Sequence, residues 1–383
     1  MMGEPSDRDQ GKRVGDLGNR ILITHDWLVK WGGAERVLDE LHALLPEADI
    51  VTAIRDKAVA MEQPTARHAS ELWLGKLPGA RSHHQWFLPI EALAFFGLNS
   101  ARYDVVISSS HAFSKATRPG RLGINLCYCY SPLRYAWDLY DTYLSRSPFH
   151  RRIALRFGRR AFQLADEAAA RRVSHFVAIS QFVARRIQRC YGRVARVVYP
   201  PVRSKVQHLT GTPGRDSFLF HLGRLVPYKR VDLLIEASKR LNTRLVIAGD
   251  GHDRSRLQQL AGPKVEFLGE VTEQEAAELL ATCGCFVFAA EEDFGIAPIE
   301  ANSFGTPVVA YRGGAMTETM ISGVTAEFFD EPTVDSATDA IRRALGRSWD
   351  EGALVANAQR FSVDSFRRGF EAALNAAIAG ERW

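Results

Sequence analysis

Two acids eight positions apart, Glu292 and Glu300, flank the stretch Asp293-Phe-Gly295-Ile296-Ala297-Pro298-Ile299. The apolar, strand-like run Cys285-Phe-Val-Phe-Ala-Ala290 leads into it, and Pro298 suits the first turn of a helix. On one continuous helix the two carboxylates would stand roughly 12 Å apart. With a loop between them, Glu292 is expected at a strand tip and Glu300 in the first helical turn, flanking a pocket. The free N–H groups of the helix start at Gly295, Ile296 and Ala297 can take an anion. Carboxylates that accept from hydroxyls, set around a phosphate-sized anion site, suit a sugar nucleotide. Taken alone, the stretch also suits a surface loop with acids placed for the helix dipole.

A second stretch adds the opposite charge. Ser217-Phe-Leu-Phe-His-Leu-Gly223 reads as a buried strand and Val231-Asp-Leu-Leu-Ile-Glu-Ala-Ser-Lys239 as an amphipathic helix. The loop between them carries Arg224 and Lys229, five apart around Pro227. In an open parallel sheet, ligands bind beyond the carboxyl ends of the strands, where this loop and the Glu292 loop would both lie. Two cations there would hold a diphosphate and stabilise it as a leaving group, Arg224 by a planar fork and Lys229 as a point charge.

These residues carry a resemblance. Gly223-Arg-Leu-Val-Pro-Tyr-Lys-Arg-Val-Asp232, Gly249-Asp-Gly251, Phe267-Leu-Gly-Glu270, and Glu292 and Glu300 followed by Gly305-Thr-Pro-Val-Val309 resemble the C-terminal half of retaining GT-B glycosyltransferases of family 4. His25-Asp-Trp-Leu28, Gly32-Gly-Ala-Glu-Arg36, Asp104 to Lys115 and Tyr128-Cys-Tyr-Ser-Pro-Leu-Arg-Tyr-Ala-Trp-Asp138 resemble the N-terminal half. The combination is most similar to bacterial mannosyltransferases of surface polysaccharide or O-antigen synthesis, over roughly residues 20 to 380.

The resemblance implies two doubly wound, Rossmann-like α/β domains facing across a cleft. It implies transfer of a hexose, mannose from GDP-mannose foremost, from a nucleoside diphosphate to a lipid-linked or saccharide acceptor with retention of configuration. Arg224 and Lys229 would neutralise the departing diphosphate, Glu292 would accept from sugar hydroxyls and Glu300 from those of the ribose. Gly32-Gly33, before an apparent helix from about Ala34, would let backbone approach the donor diphosphate or the acceptor. His111 ends the run Val105-Val-Ile-Ser-Ser-Ser110 at a strand tip. It would donate to the sugar or to the developing oxyanion. The family often carries histidine where this chain has Tyr130, which here would hydrogen-bond the sugar or acceptor. No acceptor-side base stands out. No metal or other cofactor is expected either: the only Asp-x-Asp, Asp7-Arg8-Asp9, lies in the polar leader. A sugar-nucleotide epimerase of related fold, or a non-catalytic sugar-nucleotide-binding subunit, are the alternatives.

The surrounding elements fit this frame. The 383 residues, 46% hydrophobic, suit two domains. Strand candidates alternate with helices: Arg20–Thr24, Asp49–Ala53, Tyr103–Ser108, Asn125–Tyr130, His175–Ile179 and Ala195–Tyr199, then Ser217–Leu222, Thr243–Ala248, Lys264–Leu268, Cys285–Ala289 and Thr306–Ala310. Residues 1–19 read as a flexible leader without an apolar signal core, 20–205 as an acceptor-side domain, and 206–361 as the nucleotide-sugar domain. In the family a terminal helix, here 362–383, crosses back to the first domain.

Charge is uneven. Thirteen arginines face two acids between Arg146 and Arg196. Phe149 to Val173 reads as a helix with Ile153, Phe157, Ala161, Leu164 and Ala168 on one face and Arg152, Arg156, Arg159 and Arg160 on the others. That pattern fits an anionic membrane surface, with a solvated helix packed on a sheet as the alternative. No nucleic-acid-binding motif accompanies the charge. Trp86 to Leu98, broken by Pro89 and Glu91, suits a core helix. The cysteines are five, and Cys127/Cys129 and Cys283/Cys285 alternate within or beside strand-like runs, which favours buried thiols and a reducing compartment, so the expected place is the cytoplasm, peripheral on the inner face of the cell membrane.

Overall fold

The computed structural model describes residues 20–134, 136–137, 149–202 and 218–383, with backbone alone for 149–157. Two units divide the chain. One runs to Val198 and takes in Phe366–Trp383; the other is Tyr199–Ser365. The expectations for residues 1–19, and for most of the linker that follows Pro201, lie outside the described residues.

The first unit is built on seven parallel strands: β1 (Ile21–Leu28), β2 (Asp49–Arg55), β3 (Ser70–Glu71), β4 (Val105–Ser110), β5 (Ile124–Cys129), β6 (His175–Ala178) and β7 (Ala195–Val197). Their order is β3-β2-β1-β4-β5-β6-β7. The chain leaves β1 toward one edge, then returns to β4 on the other side, so the switch point falls between β1 and β4. Register there sets His25 beside Ser109, and Ser110 beside Cys129 of β5. The carboxyl ends of three strands, with Asp26 near the end of β1 and His111 and Tyr130 just beyond β4 and β5, are thereby brought to one edge. Parallel strands covered on both faces need unbroken apolar or satisfied side chains. All six residues of β4 are buried, and its Ser108 hydroxyl donates to Asn125 Oδ1 at 2.6 Å.

The helix Gly33–Leu44 follows β1 and buries Val37, Leu38 and Leu41. The helix Val363–Ile378 sets Phe366 and Phe370 against Tyr128, while Arg367 grips Glu40 with two donors at 2.9 and 2.6 Å. Leu88–Phe96 is a core helix as its composition implies, with Pro89 in its first turn and Glu91 fully buried.

The arginine-rich helix is Phe149–Ala170, but its buried face differs from the expected stripe. Ala161 and Leu164 are exposed, whereas Phe162, Ala165, Asp166 and Ala169 face the core. The reason is Asp166. It is fully buried because Lys115 lies 2.7 Å away and Trp137 and Tyr191 donate to it at 2.8 and 2.7 Å. A paired acid inside the stripe hides the core face from a hydrophobicity pattern. The side chains of Ile153, Phe157, Arg152 and Arg156 lie outside the described residues.

The second unit has six parallel strands: β8 (Leu219–Leu222), β9 (Leu245–Ala248), β10 (Val265–Gly269), β11 (Cys285–Phe288), β12 (Val308–Tyr311) and β13 (Ala326–Phe329). Their order is β10-β9-β8-β11-β12-β13, which places its switch point between β8 and β11. Helices Val231–Leu241 and Val334–Leu345 bury Leu234, Ile235 and Ile341 against Leu219, Ile247 and Val287. Each such aliphatic side chain contributes about 1.5–3 kcal/mol. The sequence did not announce β3 or β13. Both are edge strands too short for a clear alternation, and β13 carries Glu327 within its four residues. All five cysteines are buried free thiols.

Candidate functional site

In the second unit, the loops leaving β8 and β11 meet at the switch point. Lys229 Nζ lies 2.5 Å from Glu292 Oε1, with both side chains largely buried, and the ammonium stands 5.2 Å from the Phe288 ring centre. Arg224 is exposed one residue past Gly223, its guanidinium donating to the Tyr228 hydroxyl at 3.2 Å. The backbone holds this arrangement closely. A side chain at Gly249 would meet the Gly223 carbonyl oxygen at 2.1 Å, and one at Gly251 the Leu225 carbonyl oxygen at 2.2 Å. The loop after β9 therefore lies against the loop that carries Arg224, and only glycine permits it. Gly314 does the same for Glu292. It has φ +61, and its added Cβ would stand 2.2 Å from the Glu292 carbonyl oxygen.

Gly295 caps the helix Ile296–Ser303 in the left-handed region, with no side-chain cap bond. Its first-turn residues Ile296 and Ala297 leave N–H groups to be satisfied from outside. Glu300 is the fifth residue of this helix and so stands in its second turn, one turn later than expected. The helix begins at Ile296, so Pro298 lies in its first turn as expected. Arg224, Lys229 and Glu292 are thus gathered, with the Gly295 helix following directly on Glu292.

The first unit gathers a different set. Tyr130 Oη donates to the Ala34 carbonyl at 2.9 Å and lies 2.8 Å from Ser109 Oγ, which is 2.9 Å from His25 Nδ1. Tyr130 thereby ties the tip of β5 to the helix start at Gly32 and Gly33. Its hydroxyl is engaged on both sides, and burial pushes its pKa well above the usual range. Gly32 caps that helix with extended backbone and no side-chain cap bond. His111 packs edge-on to Trp27 at 4.6 Å, its ring 6.2 Å from that of Tyr130.

Beneath His111 lies Asp26, to which the sequence reading gave no chemical role. Its carboxylate is fully buried and accepts from the N–H groups of His111, Ala112 and Ser114 at 2.6, 2.8 and 2.7 Å. His111 Nδ1 stands 3.3 Å from Asp26 Oδ2. Burial raises the Asp26 pKa, but His111 and the N–H donors outweigh it and hold the carboxyl below its ordinary range. His111 is shifted down, by burial first, against the pull of Asp26. The only hint of this pair in the sequence is that His25-Asp26 and His111 each end an apolar strand.

Comparison with known proteins adds the following. Residues 31–205 match the model described as Glycosyltransferase Family 4, and residues 204–361 that described as Glycosyl transferases group 1. An uncharacterized glycosyltransferase of Methanocaldococcus jannaschii is 23% identical over 191 residues, which cover 49% of this chain and 54% of that protein. A GDP-mannose-dependent alpha-mannosyltransferase of Mycobacterium tuberculosis is 33% identical over 167 residues, covering 39% of this chain and 44% of the relative. The chain spans about half the length of these curated relatives. The crystal structure of Anabaena HepE in complex with UDP and glucose superposes with a TM-score of 0.68 at 18% identity, covering 93% of this chain and 100% of that one. The two units have the parallel-sheet, Rossmann-like folds of GT-B glycosyltransferase structures, and each carries the match to one glycosyltransferase family model.

Proposed function

We propose that this protein is a retaining, metal-independent hexosyltransferase that moves a hexose from a nucleoside diphosphate to a lipid-linked or saccharide acceptor. The observation that carries the reading is the Lys229–Glu292 ion pair beside Arg224 at the β8/β11 switch point. It sets cations for a leaving diphosphate next to a carboxylate for sugar hydroxyls. The bond from the anomeric carbon to the diphosphate oxygen breaks early, and Arg224 and Lys229 neutralise the charge that develops there. The acceptor hydroxyl forms the new bond on the same face and its proton passes to the leaving phosphate oxygen. Glu292 accepts from hydroxyls of the sugar, Glu300 from those of the ribose, and N–H groups at Gly295–Ala297 face the anion.

GDP-mannose is the favoured donor, on the strength of the mannosyltransferase relative, and cell-surface polysaccharide synthesis in a bacterium the favoured setting. No helix among the described residues is long and apolar enough to cross a membrane, and we place the protein peripherally on the inner face of the cell membrane. A thermal-shift screen of nucleoside diphosphate sugars tests the donor. A ligand at a hundred times its Kd adds about 2.7 kcal/mol, which raises the midpoint by several degrees. Transfer from the best ligand, with the product anomer read by NMR, tests the reaction. Stabilisation by none of them, and by no nucleoside diphosphate, would overturn the reading.

A further inference from the structure

Glu91 is an acid with nowhere to put a charge. It is fully buried on the helix Leu88–Phe96, where the Phe113 N–H and the Lys115 charge favour its anion but too weakly to offset burial. Burial first, then the negative charge of Asp26, push its pKa well above the carboxylate range, so it is a neutral acid whose carboxyl faces Asp26. Asp26 has the reverse character. Three backbone N–H groups converge on it and hold it as an anion. A bare imidazole lone pair 3.3 Å from that anion would be repelled, so His111 Nδ1 carries the proton. The other ring nitrogen, Nε2, is on the far edge of a side chain that keeps 28% of its surface exposed.

We propose that Asp26 is a positioning residue that fixes His111 with Nδ1 protonated and Nε2 bare and outward, so that His111 accepts a hydrogen bond from a hydroxyl of a bound sugar. This reverses the donor role read from the sequence. That the hydroxyl belongs to a sugar rests on the transferase reading; the tautomer does not.

The neighbourhood keeps the ring neutral. The titratable and charged groups that face His111 are Asp26 and His25 from β1, Glu35 from the helix Gly33–Leu44, and Lys115 from the turn after β4, with Glu91 behind Asp26. Burial outweighs the attraction of Asp26 and Glu35, so His111 is uncharged near pH 7 and becomes a cation, unable to accept at Nε2, only in acid.

The test is a two-bond proton–nitrogen correlation spectrum of the full chain labelled at its 11 histidines, with His111→Gln assigning the signal. The expected result near pH 7 is a neutral ring protonated at Nδ1. A ring protonated at Nε2, or a cation, overturns the proposal whatever the activity shows. In the transfer assay, Asp26→Asn should lower kcat/KM by about tenfold or more. Its acid limb should also move to lower pH, because the carboxylate that raises the His111 pKa is gone. A purely structural Asp26 would lower activity and leave the limb in place. If Asp26→Asn does not fold, the parent spectrum alone decides the tautomer and with it the proposal. Absence of turnover with every donor would instead remove the transferase reading and leave the tautomer standing.

Discussion

Lys229 and Glu292 belong to loops 63 positions apart in the chain, yet their side chains meet at 2.5 Å because β8 and β11 are neighbours in the sheet. The pair is shielded from solvent on both sides, at 13% and 15% side-chain exposure. A buried pair of this kind is stable only while both partners are present.

Lys229→Ala and Arg224→Ala should each reduce turnover by about tenfold or more, through loss of a charge-assisted contact to the departing diphosphate. They should differ in stability. Lys229→Ala leaves Glu292 largely buried without its cation and should cost on the order of 3 kcal/mol. Arg224 is exposed, and its removal should leave the unfolding midpoint in urea within experimental scatter. Unchanged kinetics in both variants with donor saturating would remove the diphosphate assignment.

How much of this was legible beforehand follows from what a sequence exposes. The strand-to-loop breaks at Gly223 and Gly295 marked the two loops that the fold brings together, because apolar runs ending in glycine and charge are local signals. The glycines at 249, 251 and 314 were visible as residues, but not the backbone atoms each one admits, which come from other loops. Asp26 and Glu91 were illegible as a pair. They lie 65 positions apart, and Glu91 reads as an interruption in an apolar helix until the fold sets it beside an anion. The stripe on Phe149–Ala170 was misplaced for the same kind of reason, since Asp166 is apolar-like only with Lys115 in place.

Activity should persist in excess chelator. In the proposed mechanism Arg224 and Lys229 supply the positive charge that a divalent cation would otherwise bring to the leaving diphosphate. The measurement is transfer rate with and without EDTA; loss with EDTA, restored by magnesium or manganese, would refute the cation assignment.

His221 should make the second unit acid-sensitive. It is fully buried beside the Phe286 and Phe288 rings, its Nδ1 donating to the Val287 carbonyl at 2.9 Å. Burial, with Lys229 nearby, pushes its pKa down to about 4 from 6.5. Above about pH 6.5 both folded and unfolded chains hold it neutral. As pH falls toward 4 the unfolded chain takes up a proton that the folded one refuses, and roughly 3 kcal/mol is lost. His221→Phe should flatten this part of the stability profile in urea titrations from pH 7 to pH 4. An equally steep profile in the variant would assign the acid sensitivity elsewhere.

Lys115→Met should destabilise the first unit by about 3–5 kcal/mol, since Asp166 is left buried and charged with only the Trp137 and Tyr191 donors. Lys115→Met combined with Asp166→Leu should recover much of that loss. Equal losses in the single and double variants would mean that packing, not the pair, is what the lysine supplies.

The basic surface around Phe149–Ala170 should bind anionic vesicles. Eight arginines lie between Arg146 and Arg172. Among the described side chains, Arg160 is 67% exposed, and on the same helix Leu164 is 47% exposed. Because the core face of the helix runs through Phe162 and Ala169, Ala161 and Leu164 are turned outward and are free to meet a lipid surface. Each basic residue near such a surface contributes on the order of 1 kcal/mol, screened within a Debye length. Sedimentation with anionic vesicles should therefore be strong at low salt and weaken steeply as salt is added. Replacing Arg152, Arg156, Arg159 and Arg160 with glutamine should weaken it, and Arg160→Gln alone, at an exposed position, should do so without lowering the unfolding midpoint. The same change should slow transfer to a lipid-linked acceptor more than hydrolysis of the donor, since only the acceptor resides in the membrane. No sedimentation at low salt would make this face ordinary solvated surface.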